Sequence, residues 1–213
     1  MPLRLVYLRK CVLCSKILPK HETDLCRACR TQVPLLEKPK RTIPFVARWT
    51  ALWYYKDTVR RSILRFKYYY AFTHGLTYGR LLAMKLTQEM DVDFDLVTWV
   101  PSNPWRIFLR SNNQSKRLAL ALSKELGLEC QKLLRKTRLN DSQSGIPEET
   151  RRKANVLGAF AVTDPARVAG KKILLVDDIV TTGATCSECA KTLLIAGAKE
   201  VSCAAVAASH PKK

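Results

Sequence analysis

The sequence predicts an α/β domain, a parallel sheet flanked by helices, preceded by a small four-cysteine module. Three observations carry this. Ile173 to Val176 is a continuous apolar run of the kind a central parallel strand shows, and Asp177 and Asp178 close it at its carboxyl end. Cys11-x-x-Cys14 and Cys26-x-x-Cys29 form two knuckles near the start. With 213 residues, the chain suffices for one α/β core and a small appendage, not for two full domains. The expected division is 1–48 for the module with its linker and 49–213 for the main domain.

The two knuckles, eleven residues apart, supply four soft thiolates, which suit one tetrahedral structural zinc. Disulfides would need an oxidising compartment, and LVYL near the start is too short for a secretory signal. No run approaches the roughly 18 apolar residues of a membrane helix. The expectation is therefore a soluble, cytoplasmic protein without membrane insertion. His21 lies between the knuckles, but four sulfurs already complete the shell. Pro34, Pro39 and Pro44 then mark residues 31 to 48 as an extended linker.

In the main domain, Thr50 to Tyr55 reads as an aromatic strand. Asp57 follows as an N-cap for a helix with Val59, Ile63, Leu64 and Phe66 on its apolar side. A second helix is expected over about Leu76 to Met90, a short strand over Leu96 to Val100 and a loop over Pro101 to Trp105. Helical pattern resumes over Ser115 to Leu126, with Gly127 as the stop. Residues 130 to 155 are polar, basic and poor in apolar periodicity, as a long mobile loop would be. After the strand ending at the acid pair come a helix from Ala184 or Thr185 to Ile195 and a closing strand, Val201 to Ala208. Cys186 and Cys189, three apart on that helix, read as small core hydrophobes, because no second pair accompanies them.

The chemistry is concentrated between Lys171 and Thr185. Thr181, Thr182, Gly183, Ala184 and Thr185 follow the acid pair with hydroxyls, backbone N–H groups and one glycine that permits close approach to an anion. The helix beginning there would turn its positive end toward the same anion. Two carboxylates beside a phosphate cradle fit a ribose diol held with magnesium. The plainer reading is a buried strand ending in a solvated turn, since Asp and Thr are common turn formers.

The formal net charge is +19, from 37 Lys and Arg against 18 Asp and Glu. Four zinc-bound thiolates would remove only about two units of it. A small anionic ligand needs few cations, so nucleic acid is the natural candidate for the rest, with generic solubility charge as the other reading. Between Trp53 and Tyr70, Arg60, Arg61, Arg65 and Lys67 suit phosphates, while Tyr54, Tyr55, Tyr68, Tyr69 and Tyr70 suit base stacking. An ordinary amphipathic helix with core aromatics accounts for the same residues. Arg152 lies with Arg135, Lys136, Arg138, Arg151 and Lys153 in the segment read as mobile.

The run KKILLVDDIVTTGAT resembles the signature of type I phosphoribosyltransferases, and the order of knuckles, linker and signature resembles the ComF family of bacterial competence proteins. The resemblance includes YKDTVRRSILRFKY, VPSNPWR and QSGIPEETRRKANVLGAF, in which Arg152 stands three residues before Asn155-Val156. It implies a type I phosphoribosyltransferase-like sheet. It further implies that Asp177 and Asp178 hold the ribose hydroxyls of phosphoribosyl pyrophosphate, with Thr181 to Thr185 holding its 5′-phosphate. Relatives usually carry Arg-Gly-Phe-Asn-Gln after the first ligand loop, where this chain has Arg110-Ser111-Asn112-Asn113-Gln114. Arg106 and Arg110 remain available to pyrophosphate.

What the resemblance implies about activity divides three ways. One is a DNA-uptake protein of natural transformation that binds phosphoribosyl pyrophosphate and single-stranded DNA. A second is an active phosphoribosyltransferase, in which magnesium and basic side chains would stabilise the departing pyrophosphate while the carboxylates fix the ribose. The third is a zinc-dependent adaptor for a helicase-like partner. No nucleobase pocket is legible.

Overall fold

The computed structural model describes residues 9–37, 39, 41–68, 71–102, 113–137 and 158–210. After a short helix α1 (Arg27–Gln32) come β1 (Trp49–Tyr54), α2 (Asp57–Tyr68), α3 (Ala71–Glu89), β2 (Leu96–Trp99) and α4 (Gln114–Leu126). Next are β3 (Glu129–Cys130), β4 (Leu134–Lys136), β5 (Phe160–Val162), β6 (Lys172–Val180), α5 (Ala184–Ile195) and β7 (Glu200–Ala208). Among the described residues, five strands form one sheet in the order β1-β7-β6-β2-β3. Every neighbouring pair in it is parallel. No described helix is long and apolar enough to cross a membrane.

The sheet is covered on both faces, which is why its central strands carry unbroken apolar runs. On one side Leu174, Val176, Ala204 and Val206 pack with Val59, Ile63 and Phe66 of α2, Tyr78, Leu82 and Leu86 of α3, and Leu118 and Leu122 of α4. Tyr78, Leu82 and Leu86 lie four apart along α3, one stripe of that helix. Gly79 lets α3 and α4 cross closely, since a Cβ there would stand 2.6 Å from the Cβ of Ala121. On the other side Ile173, Leu175, Val201 and Cys203 pack with Cys186, Cys189 and Leu193 of α5. Cys186 and Cys189 are thus core residues, and the Cys186 and Cys203 sulfurs lie 3.3 Å apart.

Several boundaries differ from the sequence reading, each for a tertiary reason. The strand does not end at the acid pair. Its pairing with β2 stops at Trp99 opposite Val176, but its ladder with β7 continues to Val180 opposite Ala208, so β6 outlasts one neighbour while holding the other. α3 begins at Ala71, five residues before the expected start. Asp57 lies within the first turn of α2, its carboxylate at the favourable end of the helix dipole. The start of the expected mobile loop forms β3 and β4, and β4 pairs antiparallel with β5 through Leu134 opposite Val162. The rest of that loop, 138–155, lies outside the described residues.

The linker is strapped down. Leu36 and Ile43 are buried. Leu36 N–H donates to Leu52 O at 2.7 Å, and Ala47 N–H donates to Val201 O at 2.9 Å. Lys85 Nζ donates to Leu36 O and pairs with Glu89 at 2.5 Å. Within the stretch Val46 N–H turns back to Ile43 O at 3.1 Å, while the bonds of Leu36 and Ala47 to Leu52 and Val201 hold it on the domain.

Candidate functional site

Two centres occupy opposite parts of the chain, and α2 touches both. The first is at the end of β6. Because β2 stops at Trp99, Asp177 and Asp178 extend past that neighbour on a strand still held by β7. Asp177 is buried, accepting the Ser115 hydroxyl at 3.1 Å and the backbone N–H of Asp178 at 2.8 Å. Burial, and then the negative charge of Asp178, push the Asp177 carboxyl up to about 8. The two donors and the nearby Lys67 ammonium act in the opposite direction.

Asp178 is paired with Lys67, Nζ to Oδ2 at 2.5 Å, and both side chains are largely covered, 19% and 17% exposed. The end of α2 is anchored there by Gln114, whose Nε2 donates to Lys67 O at 3.1 Å. Next to it, Asn113 caps α4 by accepting the Lys116 N–H at 3.1 Å. Sequence alone presents Asn113 and Gln114 only as matches to a motif and Ser115 only as a helix start. The fold uses all three to bring α4 against α2 and the acid pair. A serine in the first turn of a helix gives no sequence signal of a carboxylate partner 62 residues on.

After Val180 the chain bends through Thr181, Thr182 and Gly183 into α5. Thr181 and Thr182 are exposed, and Thr182 Oγ1 accepts the Ala184 N–H at 3.3 Å. Gly183 has φ +85°, and the position of a Cβ there would be 3.0 Å from Ile43 Cγ1 of the linker. Glycine is therefore required by the left-handed turn and by the strapped linker on that side. Arg41 of the same linker donates to Val180 O at 3.3 Å and lies over the Trp49 ring at 5.2 Å. A 12-residue helix begins here with a glycine cap that makes no side-chain hydrogen bond, so its positive end faces the threonine loop.

The second centre is the cysteine cluster. The Sγ atoms of Cys11, Cys14, Cys26 and Cys29 all lie within 4.8 Å of one another, and Cys14 to Cys26 is 3.7 Å. Zn–S bonds of about 2.3 Å in a tetrahedron require sulfur edges of about 3.8 Å. The donor set and its spacing fit one structural zinc, with no fifth protein ligand needed. Cys26 also caps α1, accepting the Cys29 N–H at 3.5 Å.

The cluster is joined to the main domain through α2 and α3. Inside the first knuckle, Val12 O accepts from the Ser62 hydroxyl and Leu13 O accepts from Arg65, both on α2. Ser62 shares a second hydrogen bond, 2.6 Å, with the Tyr78 hydroxyl. Asp24 takes Arg80 Nε at 3.0 Å. Val12, Leu13, Leu18 and Leu25 pack into the same hydrophobic cluster as Leu52 and Phe66.

The aromatic and basic run divides by burial. Trp53 is in the core and Tyr54 stacks on His210 with ring centres 3.7 Å apart. Tyr68 is exposed, as are Arg60 and Arg61. Arg65 serves the cysteine module and Lys67 the acid pair, so of the four cations grouped there by sequence only Arg60 and Arg61 face outward. Tyr69, Tyr70, Arg106, Arg110 and Arg152 lie outside the described residues.

Residues 112–213 match the phosphoribosyl transferase domain family. Competence protein F of Haemophilus influenzae is 24% identical over 216 aligned residues, which take in 90% of this chain and 93% of that protein. DNA utilization protein YhgH of Escherichia coli is 36% identical over 110 residues, 50% of this chain and 46% of that protein, so this match spans about half of each. Among solved structures, the glutamine phosphoribosylpyrophosphate amidotransferase of B. subtilis aligns with 67% of this chain and 30% of that one, at 23% identity and a TM-score of 0.45.

Proposed function

We propose that the chain, which matches the phosphoribosyl transferase domain over residues 112–213 and is similar to competence protein F along most of its length, serves DNA uptake or utilisation, binding phosphoribosyl pyrophosphate at the acid pair and single-stranded DNA on its basic surface. The observation that carries the ligand reading is the geometry at Asp177. One buried carboxylate is fixed by Ser115 and by the next backbone N–H, beside a second carboxylate and a threonine loop opening a helix.

Each part then has a task. Asp177 and Asp178 accept the ribose hydroxyls. Thr181, Thr182 and the first turn of α5, from Ala184 and Thr185, receive the 5′-phosphate, where N–H groups and the helix dipole favour negative charge. Gly183 sets the backbone path between them. Arg106 and Arg110 take the pyrophosphate end. Magnesium, bound with the ligand, would neutralise pyrophosphate oxygens beside the carboxylates. The four cysteines hold zinc and build the module onto α2, a structural role.

Single-stranded DNA binding rests on the surplus charge and on the outward Arg60 and Arg61, with Tyr68 exposed at the other end of the same helix. Arg152 is assigned to the same surface. A helicase-like partner would meet a module already fixed to the domain. Equilibrium dialysis with labelled phosphoribosyl pyrophosphate tests the ligand reading. Retention that needs magnesium and disappears with a chelator is expected, and absence of retention at any magnesium concentration contradicts it. Pyrophosphate release on adding one of a panel of nucleobases would convert the binding protein into a transferase.

A further inference from the structure

We infer that Lys67 is the resident counter-cation of the acid pair, and that a divalent cation with its sugar-phosphate ligand occupies the site only by displacing this internal ammonium. The inference rests on the reading of Asp177 and Asp178 as the ligand site. Sequence alone groups Lys67 with the outward cations of α2, and the fold separates it from them. Its Nζ is 2.5 Å from Asp178 Oδ2, with both side chains more than four-fifths covered, whereas Arg60 and Arg61 are exposed.

Lys67 stands against the carboxylates that would face the ribose diol and its cation. The Asp178 charge, already strong enough to help push the Asp177 carboxyl up, is largely covered, and a partly buried ammonium at hydrogen-bond distance balances it while the site is empty of ligand. An incoming dication carries twice the charge and competes for the same oxygens. An ammonium 2.5 Å from Asp178 Oδ2 and a dication at the same carboxylate repel each other, and the weaker charge on the flexible side chain is the one expelled.

The exchange needs no backbone movement. Gln114 Nε2 holds Lys67 O at 3.1 Å, and Ser62 and Arg65 of the same helix are fixed to the carbonyls of Val12 and Leu13. What moves is the four-carbon side chain, whose rotamers give the ammonium several ångströms of reach from a fixed Cα. Lys67 thereby raises the threshold for cation entry. A lone divalent ion binds poorly against it, while a ligand that also engages the threonine loop gains enough contacts to expel it.

Two measurements on the full chain test this. Pulse labelling of the parent protein with an amine-reactive reagent, read by mass spectrometry and normalised to exposed Lys199, reports whether the ammonium is released. Saturating magnesium and phosphoribosyl pyrophosphate should accelerate labelling of Lys67 at least about fivefold, as expected when a close ion pair is broken. Slower labelling with ligand would mean that Lys67 grips the ligand itself, and would overturn the inference. Separately, Mn²⁺ alone is titrated by electron paramagnetic resonance into the parent and into Lys67→Met, with Lys67→Gln as the second variant if the first does not fold. Removing one positive charge beside a dication should tighten Mn²⁺ binding at least about fivefold, and adding Asp178→Asn should remove the gain. Unchanged or weaker Mn²⁺ binding in the folded variant would overturn the inference. The Mn²⁺ comparison does not depend on sugar-phosphate binding, so failure of the ligand reading would appear as absent dialysis retention together with labelling unchanged by ligand, while the Mn²⁺ comparison would still decide the role of Lys67.

Discussion

Ser115 donates its hydroxyl to Asp177 across 3.1 Å, tying the first turn of α4 to a carboxylate 62 residues later. The same turn carries Gln114 to the end of α2 and Asn113 to its own cap, so this turn holds Asp177 directly through Ser115 and Asp178 through Lys67. Removing the hydroxyl should loosen Asp177 and raise its carboxyl further. Ser115→Ala is expected to weaken binding of magnesium and phosphoribosyl pyrophosphate by about 1.5 kcal/mol, the scale of a hydrogen bond to a charged group. Calorimetry against the parent checks this, and unchanged affinity would remove Ser115 from the site.

Asp177 also sets a pH dependence. Its folded-state carboxyl stands at about 8 against an ordinary value of 3.8, raised first by burial and then by Asp178. The folded protein therefore favours the protonated form. The corresponding stability is fully present below about pH 4 and is lost as pH rises through about 8. Asp177→Asn keeps an acceptor for Ser115 but cannot ionise. Its melting temperature should fall less between pH 5 and 9 than that of the parent, and exceed it at pH 9 by at least about 3 °C. Ligand affinity of the parent should move oppositely, rising with pH as Asp177 ionises. Thermal melts and titrations at matched ionic strength measure both.

The cysteine cluster should hold about one zinc per chain, because four thiolates at these separations close one tetrahedral shell. Elemental analysis of metal-replete protein decides it. The double variant Cys26→Ser, Cys29→Ser should lose the metal. It should also destabilise the main domain, since Val12 and Leu13 between the knuckle cysteines anchor α2. A variant that loses zinc yet melts like the parent would contradict that linkage.

Lys67 is unsuitable for separating DNA from sugar-phosphate binding, because it contacts Asp178. Arg60→Ala with Arg61→Ala is the cleaner pair. Anisotropy titrations with single-stranded DNA across salt concentrations should give a steep log–log line in the parent, made shallower by about 0.7 for each phosphate that the variant no longer neutralises. Affinity for phosphoribosyl pyrophosphate should stay within about twofold of the parent. A salt-independent parent would remove the nucleic-acid reading.

The legible parts of this chain are those whose signal is local. The apolar run before Asp177 marks a central strand by itself, and two Cys-x-x-Cys pairs identify a metal cluster without any knowledge of packing. What escapes is the pairing between distant segments. Val180 stays in β6 because Ala208 of β7 lies opposite it, and the linker is bound because Leu52 and Val201 offer carbonyls to it. Lys67 illustrates the limit most clearly. It stands seven residues, two turns, beyond Arg60 and on nearly the same face, and what brings it to Asp178 is its place at the far end of α2 beside β6, which spacing within one helix does not reveal. Ser115 carries no pattern at all, since a serine reaching a remote carboxylate looks in sequence like any helix start.

Asp177 and Asp178 together make the proposed sugar-phosphate site. Calorimetric titration of magnesium and phosphoribosyl pyrophosphate into the parent and into Asp177→Asn with Asp178→Asn tests it most directly. At pH 9, above the Asp177 value of about 8, loss of both carboxylate acceptors should weaken binding by about 2 kcal/mol or more, close to thirtyfold. A folded double variant, verified by its melting transition, that binds the ligand as tightly as the parent would contradict it.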